Sequence, residues 1–212
     1  MSLFLDSAQP DEVRTAMQWG WVAGVTTNPI LLARSGLPPA EALEALARAA
    51  SGTVFYQLTA PTVEGMLEEA QRAGDILQDR LALKIMPTPA GFEVAAQLSD
   101  NIPVAITGVY SAAQAMVAEA AGAAYVIFYY HRALGLLEDV RRFLRELTGV
   151  LAESKTELIA ASVKSVEEAV EVRMAGVQHL TLPFNVLRAL MDHELSARTL
   201  GEFNREGSGL SV

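Results

Sequence analysis

The chain has 212 residues, 51% of them apolar and only 19% charged, and this composition excludes a disordered polypeptide. Its formal net charge of −9 argues against nucleic acid or an anionic membrane as a partner, because both bind basic surfaces. The sequence contains no cysteine, which excludes thiolate zinc sites, iron–sulfur clusters and thiol catalysis.

The amino-terminal segment indicates where the protein works. It lacks the basic residues and the long apolar stretch of a signal peptide. The longest nearly apolar run, 120–130, is well short of the roughly 18 residues that a membrane span requires. We therefore predict a soluble, cytoplasmic protein.

Short apolar runs alternate with amphipathic, alanine- and glutamate-rich segments along the chain. The runs predict eight strands, at 3–5, 22–25, 53–58, 81–85, 103–106, 125–128, 157–160 and 178–182. Helix starts are predicted at Pro10 and at two capping boxes, Ser111 to Gln114 and Ser165 to Glu168. Four glycines just before strands are predicted to end helices in the left-handed conformation: Gly52, Gly74, Gly122 and Gly176.

The strand pattern also predicts the fold. Strands that are apolar throughout are buried on both faces, which is typical of a parallel sheet covered by helices. Eight such units with no linker between them predict an α/β fold, a single (β/α)8 TIM barrel spanning 1–212 with an extra C-terminal helix and tail at 195–212. A doubly wound open sheet is the competing architecture, but the first strand is not followed by a glycine-rich phosphate loop.

Polar residues recur where the predicted strands end. In a barrel these carboxyl ends form the active-site face. Any one polar residue there is commonly a cap or turn residue, but the recurrence predicts one polar mouth. Seven of the eight strands contribute to it: Asp6, Thr26 with Asn28, Gln57, Lys84, Thr107, Tyr129 with Arg132, and Ser162.

Lys84 is the most informative of these residues, because it is one of only three lysines and lies inside an apolar run. Burial lowers the pKa of an ammonium and leaves a neutral amine able to attack a carbonyl, which predicts Schiff-base chemistry. The alternative is a strand-end lysine whose ammonium reaches water. Asp6 is predicted to orient a substrate hydroxyl or move a proton, the alternative being an N-cap for the first helix.

Basic residues in so acidic a protein suggest an anion site. Arg132, with Ser162 and Lys164 after the seventh strand, forms a candidate phosphate clamp. The alternative is a surface arginine paired with Glu138 or Asp139.

Metal chemistry is not favoured by the sequence. The histidines are His131, His179 and His193, and their spacing is not that of a metal-binding motif. A metal-dependent aldolase is therefore the weaker hypothesis, and we predict no metal. His179 is predicted at the start of the last strand, on the rim opposite the site, with a structural role.

Several segments together resemble the small transaldolases, specifically the fructose-6-phosphate-aldolase-like subgroup. The resemblance covers nearly the whole chain in the right order. It is carried by Phe-Leu-Asp6-Ser, Ala23-Gly-Val-Thr-Thr-Asn-Pro29, Leu-Lys84-Ile-Met-Pro, Ile-Thr107-Gly-Val-Tyr-Ser-Ala-Ala-Gln, Tyr129-x-x-Arg132 and Ala-Ala-Ser162-Val-Lys.

The resemblance implies a class I mechanism without metal or cofactor, acting on fructose 6-phosphate or a related ketose. Lys84 would form the Schiff base, and the C3–C4 bond would break to give a dihydroxyacetone unit and glyceraldehyde 3-phosphate. The other roles are also carried over from the family: Thr26, Gln57 and Tyr129 for water and proton transfer, Asp6 and Asn28 for hydroxyls of the dihydroxyacetone unit, Thr107 for support of the lysine and the water, and Arg132 and Ser162 for phosphate.

Two residues bear on the reaction type. The larger transaldolases have glutamate in place of Gln57 and phenylalanine in place of Tyr129, so this pair resembles the direct aldolase. A phenol near the enamine can help protonate it, whereas an apolar ring leaves it waiting for an acceptor. A transaldolase of the pentose phosphate pathway is the alternative, and a non-catalytic sugar-phosphate-binding barrel is a further one.

The chain also departs from the family pattern. Ile127 and Phe128 precede Tyr129 where a small residue and proline are more common, and the adjacent Tyr130 leaves the register open by one. After Arg132 the family's polar, glycine-rich stretch is missing. Similar proteins assemble as pentamers or decamers in which the C-terminal helix reaches a neighbour, so a homo-oligomer is expected.

Overall fold

A closed barrel of eight parallel strands, joined in sequence order, forms the centre of the computed structural model, which describes residues 1–210. Pairing of the first strand with the eighth closes the barrel. The predicted TIM barrel is therefore confirmed, although residues 211 and 212 of the predicted tail lie outside the described part. The strands are β1 (Leu3–Asp6), β2 (Val22–Thr26), β3 (Thr53–Gln57), β4 (Leu81–Ile85), β5 (Val104–Val109), β6 (Tyr125–Tyr129), β7 (Glu157–Ala161) and β8 (His179–Leu182).

Helices follow the strands and cover the outside of the barrel. They are α1 (Pro10–Gln18), α2 (Pro29–Arg34), α3 (Pro39–Ala49), α4 (Val63–Leu77), α5 (Pro89–Leu98), α6 (Ala112–Ala120), α7 (Tyr130–Leu136), α8 (Val140–Val150), α9 (Val166–Met174), α10 (Phe184–Ala189) and α11 (Glu194–Glu206). Both predicted capping serines accept a hydrogen bond from the backbone three residues on, at Gln114 and Glu168. These caps satisfy backbone N–H groups that have no partner within the helix.

The glycine predictions are partly wrong. Gly122 and Gly176 have the expected positive φ after α6 and α9. Gly74 instead lies inside α4, and the left-handed residue after that helix is Gln78. Gly52 is required for a different reason, because a Cβ there would overlap the carbonyl oxygen of Ala23.

Two apolar layers explain why the strands are apolar throughout. Alternate residues of each strand point to opposite faces, so β4 directs Ala82 and Lys84 inward and Leu83 outward. The outward residues form the large core beneath the helices. The inward residues form a second cluster that fills the barrel: Phe4, Phe55, Ala82, Ala105, Ile127, Ile159 and Ala161.

His179 has the predicted structural position at the amino-terminal rim. It is buried, its Nδ1 accepts from the backbone N–H of Ser2 at 3.0 Å, and its Nε2 lies 2.9 Å from Glu157. No group of three residues suited to bind a metal occurs in residues 1–210. In the same range, no helix is both long and apolar enough to cross a membrane.

The predicted C-terminal helix is present as α11, beginning one residue earlier than expected. None of its residues is buried, and Leu195, Leu200 and Phe203 are all exposed. The helix therefore presents an apolar face that its own barrel leaves uncovered.

The close approach of β2 and β3 gives a stability prediction at Gly24. This residue pairs with Thr53, and a Cβ on it would overlap the Thr53 carbonyl oxygen. We expect Gly24→Ala to lower the free energy of unfolding by about 2–3 kcal/mol, because backbone would have to move. Urea denaturation measures the difference.

Gly149→Ala is the matched control. Gly149 lies in α8 with open space around its Cβ position, so alanine there should stabilise by about 0.5–1 kcal/mol. Equal unfolding free energies for Gly24→Ala and wild type would contradict the argument.

Candidate active site

The inward alternation of the strands brings the predicted polar residues to one mouth at the carboxyl ends of the strands. This is the edge at which active sites of such barrels lie. Six of the predicted residues come from six consecutive strands: Asp6 on β1, Thr26 on β2, Gln57 on β3, Lys84 on β4, Thr107 on β5 and Tyr129 on β6.

Lys84 is buried within this mouth, with only 2% of its surface exposed. Its Nζ donates a hydrogen bond to the backbone carbonyl of Thr27 at 2.8 Å. Burial lowers the pKa of Lys84, and the negative charge of Asp6 opposes this in part. The ammonium does not reach bulk water, so the alternative of a surface-seeking lysine is wrong. The arrangement favours the neutral, nucleophilic amine.

A hydroxyl network connects Asp6 to the neighbouring strands. The Thr26 hydroxyl donates to Asp6 Oδ1 at 2.8 Å, and its oxygen lies 2.6 Å from Thr181 Oγ1. Because the single Thr26 proton goes to Asp6, Thr181 is the donor in the second bond. The N-cap of α1 is Gln9, so Asp6 is not the cap that the sequence left as an alternative.

Thr181 is a mouth residue that the sequence analysis missed. It lies on β8, is fully buried, and gives the eighth strand a polar contribution. Counting inward positions from His179 in steps of two would have found it, because alternate residues share a face.

Tyr129 occupies the opposite side of the mouth. Its hydroxyl oxygen lies 3.0 Å from Thr107 Oγ1, and burial raises the pKa of the phenol. The hydrogen bond to Thr107 and the charge of Arg132 oppose that rise. Tyr129 therefore keeps its proton at neutral pH. Tyr130 is buried in the outer core, which settles the register in favour of Tyr129 as the tyrosine of the mouth.

Two amide side chains at the mouth, Asn28 and Gln57, differ in which of their polar atoms can bind a ligand. Asn28 caps α2, its Oδ1 accepting from Ile30 and Leu31 at 3.0 Å each, so only its amide N–H groups remain. Gln57 Oε1 is buried and has no hydrogen-bond partner within residues 1–210. Buried polar atoms are normally satisfied, so this oxygen is suited to hold a water or a substrate hydroxyl.

The predicted phosphate residues lie on two adjacent strand ends. Tyr129 pairs with Ala161, which brings Arg132 and Ser162, each just beyond one of these strands, to the same side of the mouth. Arg132 is exposed, as the alternative expected, but none of the ion pairs within residues 1–210 involves it, so the alternative pairing with Glu138 or Asp139 is wrong. Asp139 instead caps α8. The Arg132 guanidinium lies over the Tyr129 ring, 4.8 Å from its centroid. Lys164, two residues after Ser162, is exposed.

Gly108 is a second feature that the sequence analysis missed. It has φ of 78° and interrupts the pairing of β5 with β6 between Thr107 and Val109. An added Cβ would lie 3.0 Å from the Met86 methyl and 3.7 Å from the Tyr129 ring. Glycine therefore allows the Met86 and Tyr129 side chains to lie close to the backbone at this point. A glycine inside a strand was the available signal for this bulge.

The family comparison agrees with the motifs. Residues 3–208 match the family model described as transaldolase/fructose-6-phosphate aldolase. A probable transaldolase of Kosmotoga olearia is 33% identical over 219 residues, covering 99% of this chain and all of that protein. A probable transaldolase of Aquifex aeolicus is 32% identical, covering 97% of this chain and 96% of that protein.

Solved structures agree on the fold. A putative phosphonomutase from Burkholderia cenocepacia superposes with a TM-score of 0.67 at 17% identity, covering 97% of this chain and 92% of its own. A dihydrodipicolinate synthase from Rhodopseudomonas palustris superposes with a TM-score of 0.63 at 13% identity, covering 95% of this chain and 77% of its own. At such low identity these likenesses establish the barrel alone.

Proposed function

Because this chain belongs to the transaldolase/fructose-6-phosphate aldolase family, as its motifs predicted, we propose that it cleaves fructose 6-phosphate or a related ketose through a Schiff base on Lys84. The products are dihydroxyacetone and glyceraldehyde 3-phosphate. One observation carries the proposal: the lysine is buried and its pKa lowered in a mouth that also holds the Asp6 carboxylate and the protonated Tyr129 phenol.

Schiff-base formation begins with the neutral Nζ of Lys84. The amine attacks the C2 carbonyl carbon of the ketose, and the resulting carbinolamine loses water to form an iminium. Asp6 is suited to exchange the protons of this step, because it holds the Thr26 hydroxyl and acts electrostatically on Lys84.

Cleavage follows from the positive charge of the iminium. A base removes the proton of the C4 hydroxyl, whose oxygen forms the aldehyde carbonyl as the C3–C4 bond breaks. The electron pair of that bond forms the C2=C3 double bond, and the π pair of the iminium moves to the nitrogen. The aldehyde leaves as glyceraldehyde 3-phosphate, and the three-carbon unit stays on Lys84 as an enamine.

Proton return decides between the two reaction types. In the aldolase, Tyr129 and a water held by Gln57 supply a proton to C3 of the enamine, and hydrolysis then releases dihydroxyacetone and free Lys84. In a transaldolase, the enamine attacks an acceptor aldose phosphate instead. The names of the relatives, probable transaldolases, favour this second candidate, and Tyr129 favours the first.

Substrate binding uses the remaining polar groups. Arg132, Ser162 and Lys164 would bind the phosphate, since guanidinium and hydroxyl groups are suited to bind phosphate oxygens. Asn28 would donate to a hydroxyl of the dihydroxyacetone unit through its amide. The exposed apolar face of α11 supports assembly into a homo-oligomer, a pentamer or decamer by resemblance.

The deciding experiment is cleavage of fructose 6-phosphate without an acceptor. We expect the wild-type protein to release glyceraldehyde 3-phosphate, followed in a coupled assay, at an unchanged rate in EDTA. If turnover requires erythrose 4-phosphate, transaldolase is the correct activity. Loss of activity to the chelator would contradict the metal-free mechanism, and binding without turnover of either kind would favour a non-catalytic barrel.

A further inference from the structure

The ends of β6 and β7 are joined by hydrogen bonds that pass through His131 and Glu168. The backbone N–H of His131 donates to the Ser162 carbonyl at 3.1 Å. The Nδ1 of His131 lies 2.7 Å from Glu168 Oε1, and Glu168 Oε2 accepts from the backbone N–H of Lys164 at 2.8 Å. One carboxylate therefore holds both segments that carry the candidate phosphate residues, the first turn of α7 and the loop after β7.

Glu168 is well placed to act as a fixed point. It occupies the first turn of α9, and its own N–H is held by the cap Ser165 at 3.2 Å. Its side chain is 17% exposed, whereas that of His131 is 53% exposed. An acidic side chain is favourable at a helix amino terminus, so the carboxylate is held in place before the histidine binds it.

The backbone of Ser162 shows why such support is needed. Its φ of 57° lies in the left-handed region, which a residue with a Cβ adopts rarely. Such a conformation persists only where its surroundings hold it. The bond from the His131 N–H to the Ser162 carbonyl is one such contact.

The position of His131 also affects the position of the Arg132 backbone, because the two residues are adjacent. Arg132 follows it directly in the first turn of α7, and the guanidinium reaches back over the Tyr129 ring. Because Glu168 holds the His131 ring, the first turn of α7 can move less. The backbone of Arg132, from which its side chain extends, is restricted in the same way.

We propose that the His131–Glu168 pair is a positioning device that fixes Arg132 and Ser162 relative to each other and so sets the affinity for phosphorylated substrates. The proposal rests on the proposed function, because it assumes a sugar phosphate. Neither side chain of the pair forms a hydrogen bond or ion pair with Asp6, Lys84 or Tyr129, so its loss weakens phosphate binding and leaves the chemistry of the ketose intact.

The test compares fructose 6-phosphate with fructose in the His131→Ala variant. We expect KM for fructose 6-phosphate to rise about five- to tenfold, the effect of losing one charge-assisted hydrogen bond, with kcat nearly unchanged. The kcat/KM for fructose should stay within about twofold of wild type. His131→Asn should keep KM for fructose 6-phosphate close to that of wild type, because the asparagine amide can replace the ring Nδ1 as a donor to Glu168.

Two further variants separate positioning from general damage. Glu167→Ala removes an acidic residue from the same turn of α9 but leaves the pair intact, and it should behave as wild type. Glu168→Ala should raise KM at least as much as His131→Ala does, because it also removes the acceptor of the Lys164 N–H. The double variant should be no worse than Glu168→Ala alone, since His131 acts only through that carboxylate. Additive losses would overturn the proposal.

The remaining outcomes distinguish this proposal from the function on which it rests. An active wild type whose KM for fructose 6-phosphate is unchanged in His131→Ala would overturn the positioning role, as would an equal loss with fructose. A wild type that cleaves neither ketose would contradict the proposed function. Thermal stabilisation by inorganic phosphate then becomes the readout, and the positioning role requires it to be smaller in His131→Ala than in wild type.

Discussion

Replacing Lys84 by methionine is expected to abolish covalent capture of dihydroxyacetone and to lower kcat/KM by at least about a thousandfold. The loss is this large because Lys84 is the one buried lysine among the three, and burial is what lowers the pKa of its amine. The other two lysines, Lys155 and Lys164, are exposed. Methionine has a similar length, and an apolar side chain suits this site because Lys84 is buried, with only 2% of its surface exposed.

Borohydride reduction and intact mass measure the capture directly. Wild-type protein incubated with dihydroxyacetone should gain one reduced three-carbon adduct, and Lys84→Met should gain none. Lys155→Met is the matched control and should be modified as the wild type is. An unmodified wild type, or an adduct on Lys84→Met, would show that the Schiff base is absent or lies elsewhere.

The stability of the same variant distinguishes lost chemistry from lost fold. Burial lowers the pKa of Lys84 in the folded protein, so between that pKa and the usual value of a lysine only the unfolded chain binds the extra proton. The free energy of unfolding therefore rises with pH across this window. Below the window the folded protein also binds the proton, and the buried charge lowers its stability by a constant penalty. Methionine removes the penalty, and we expect Lys84→Met to melt about 2–4 °C higher than wild type at neutral pH.

The barrel could be predicted from sequence because its constraints are local. A strand buried on both faces must be apolar along its length, and a serine followed three residues later by glutamine or glutamate caps a helix. Gly52 and Gly74 could not be interpreted in the same way. Glycine also permits close backbone approach and is tolerated inside a helix, and only the tertiary contacts distinguish these uses.

The common location of the candidate residues could be predicted, but not their connections to one another. The strand ends predicted that Lys84 and Tyr129 share one mouth, since the topology brings those ends together. Two connections depend on rotamers and on contacts between distant segments: the Asn28 oxygen caps a helix, and Glu168 joins the first turn of α7 to the loop after β7. Periodicity carries no information about either.

Tyr129→Phe is the second variant with a large expected effect, because in the proposed mechanism the phenol returns the proton that separates cleavage from transfer. We expect acceptor-free cleavage of fructose 6-phosphate to fall by roughly a hundredfold, the usual contribution of a positioned proton donor. Transfer to erythrose 4-phosphate should fall less than about tenfold, since the enamine that attacks the acceptor still forms on Lys84.

The physical reason lies in the protonation state of the phenol. Burial raises the pKa of Tyr129, so the hydroxyl keeps its proton at neutral pH and has one to give when negative charge develops on C3 of the enamine. Phenylalanine preserves the ring under Arg132 but removes the hydroxyl that lies 3.0 Å from Thr107. The enamine then persists until an acceptor arrives.

Tyr130→Phe is the matched control, because it removes the same atom from the next residue, which points into the outer core. Both rates should stay within about twofold of wild type in that variant, with any cost confined to stability. Rates of cleavage and transfer for all three proteins come from one coupled assay, run with and without erythrose 4-phosphate. If Tyr129→Phe slows both reactions equally, the phenol acts in a step before the enamine, and proton return must be assigned to a water bound at Gln57 Oε1.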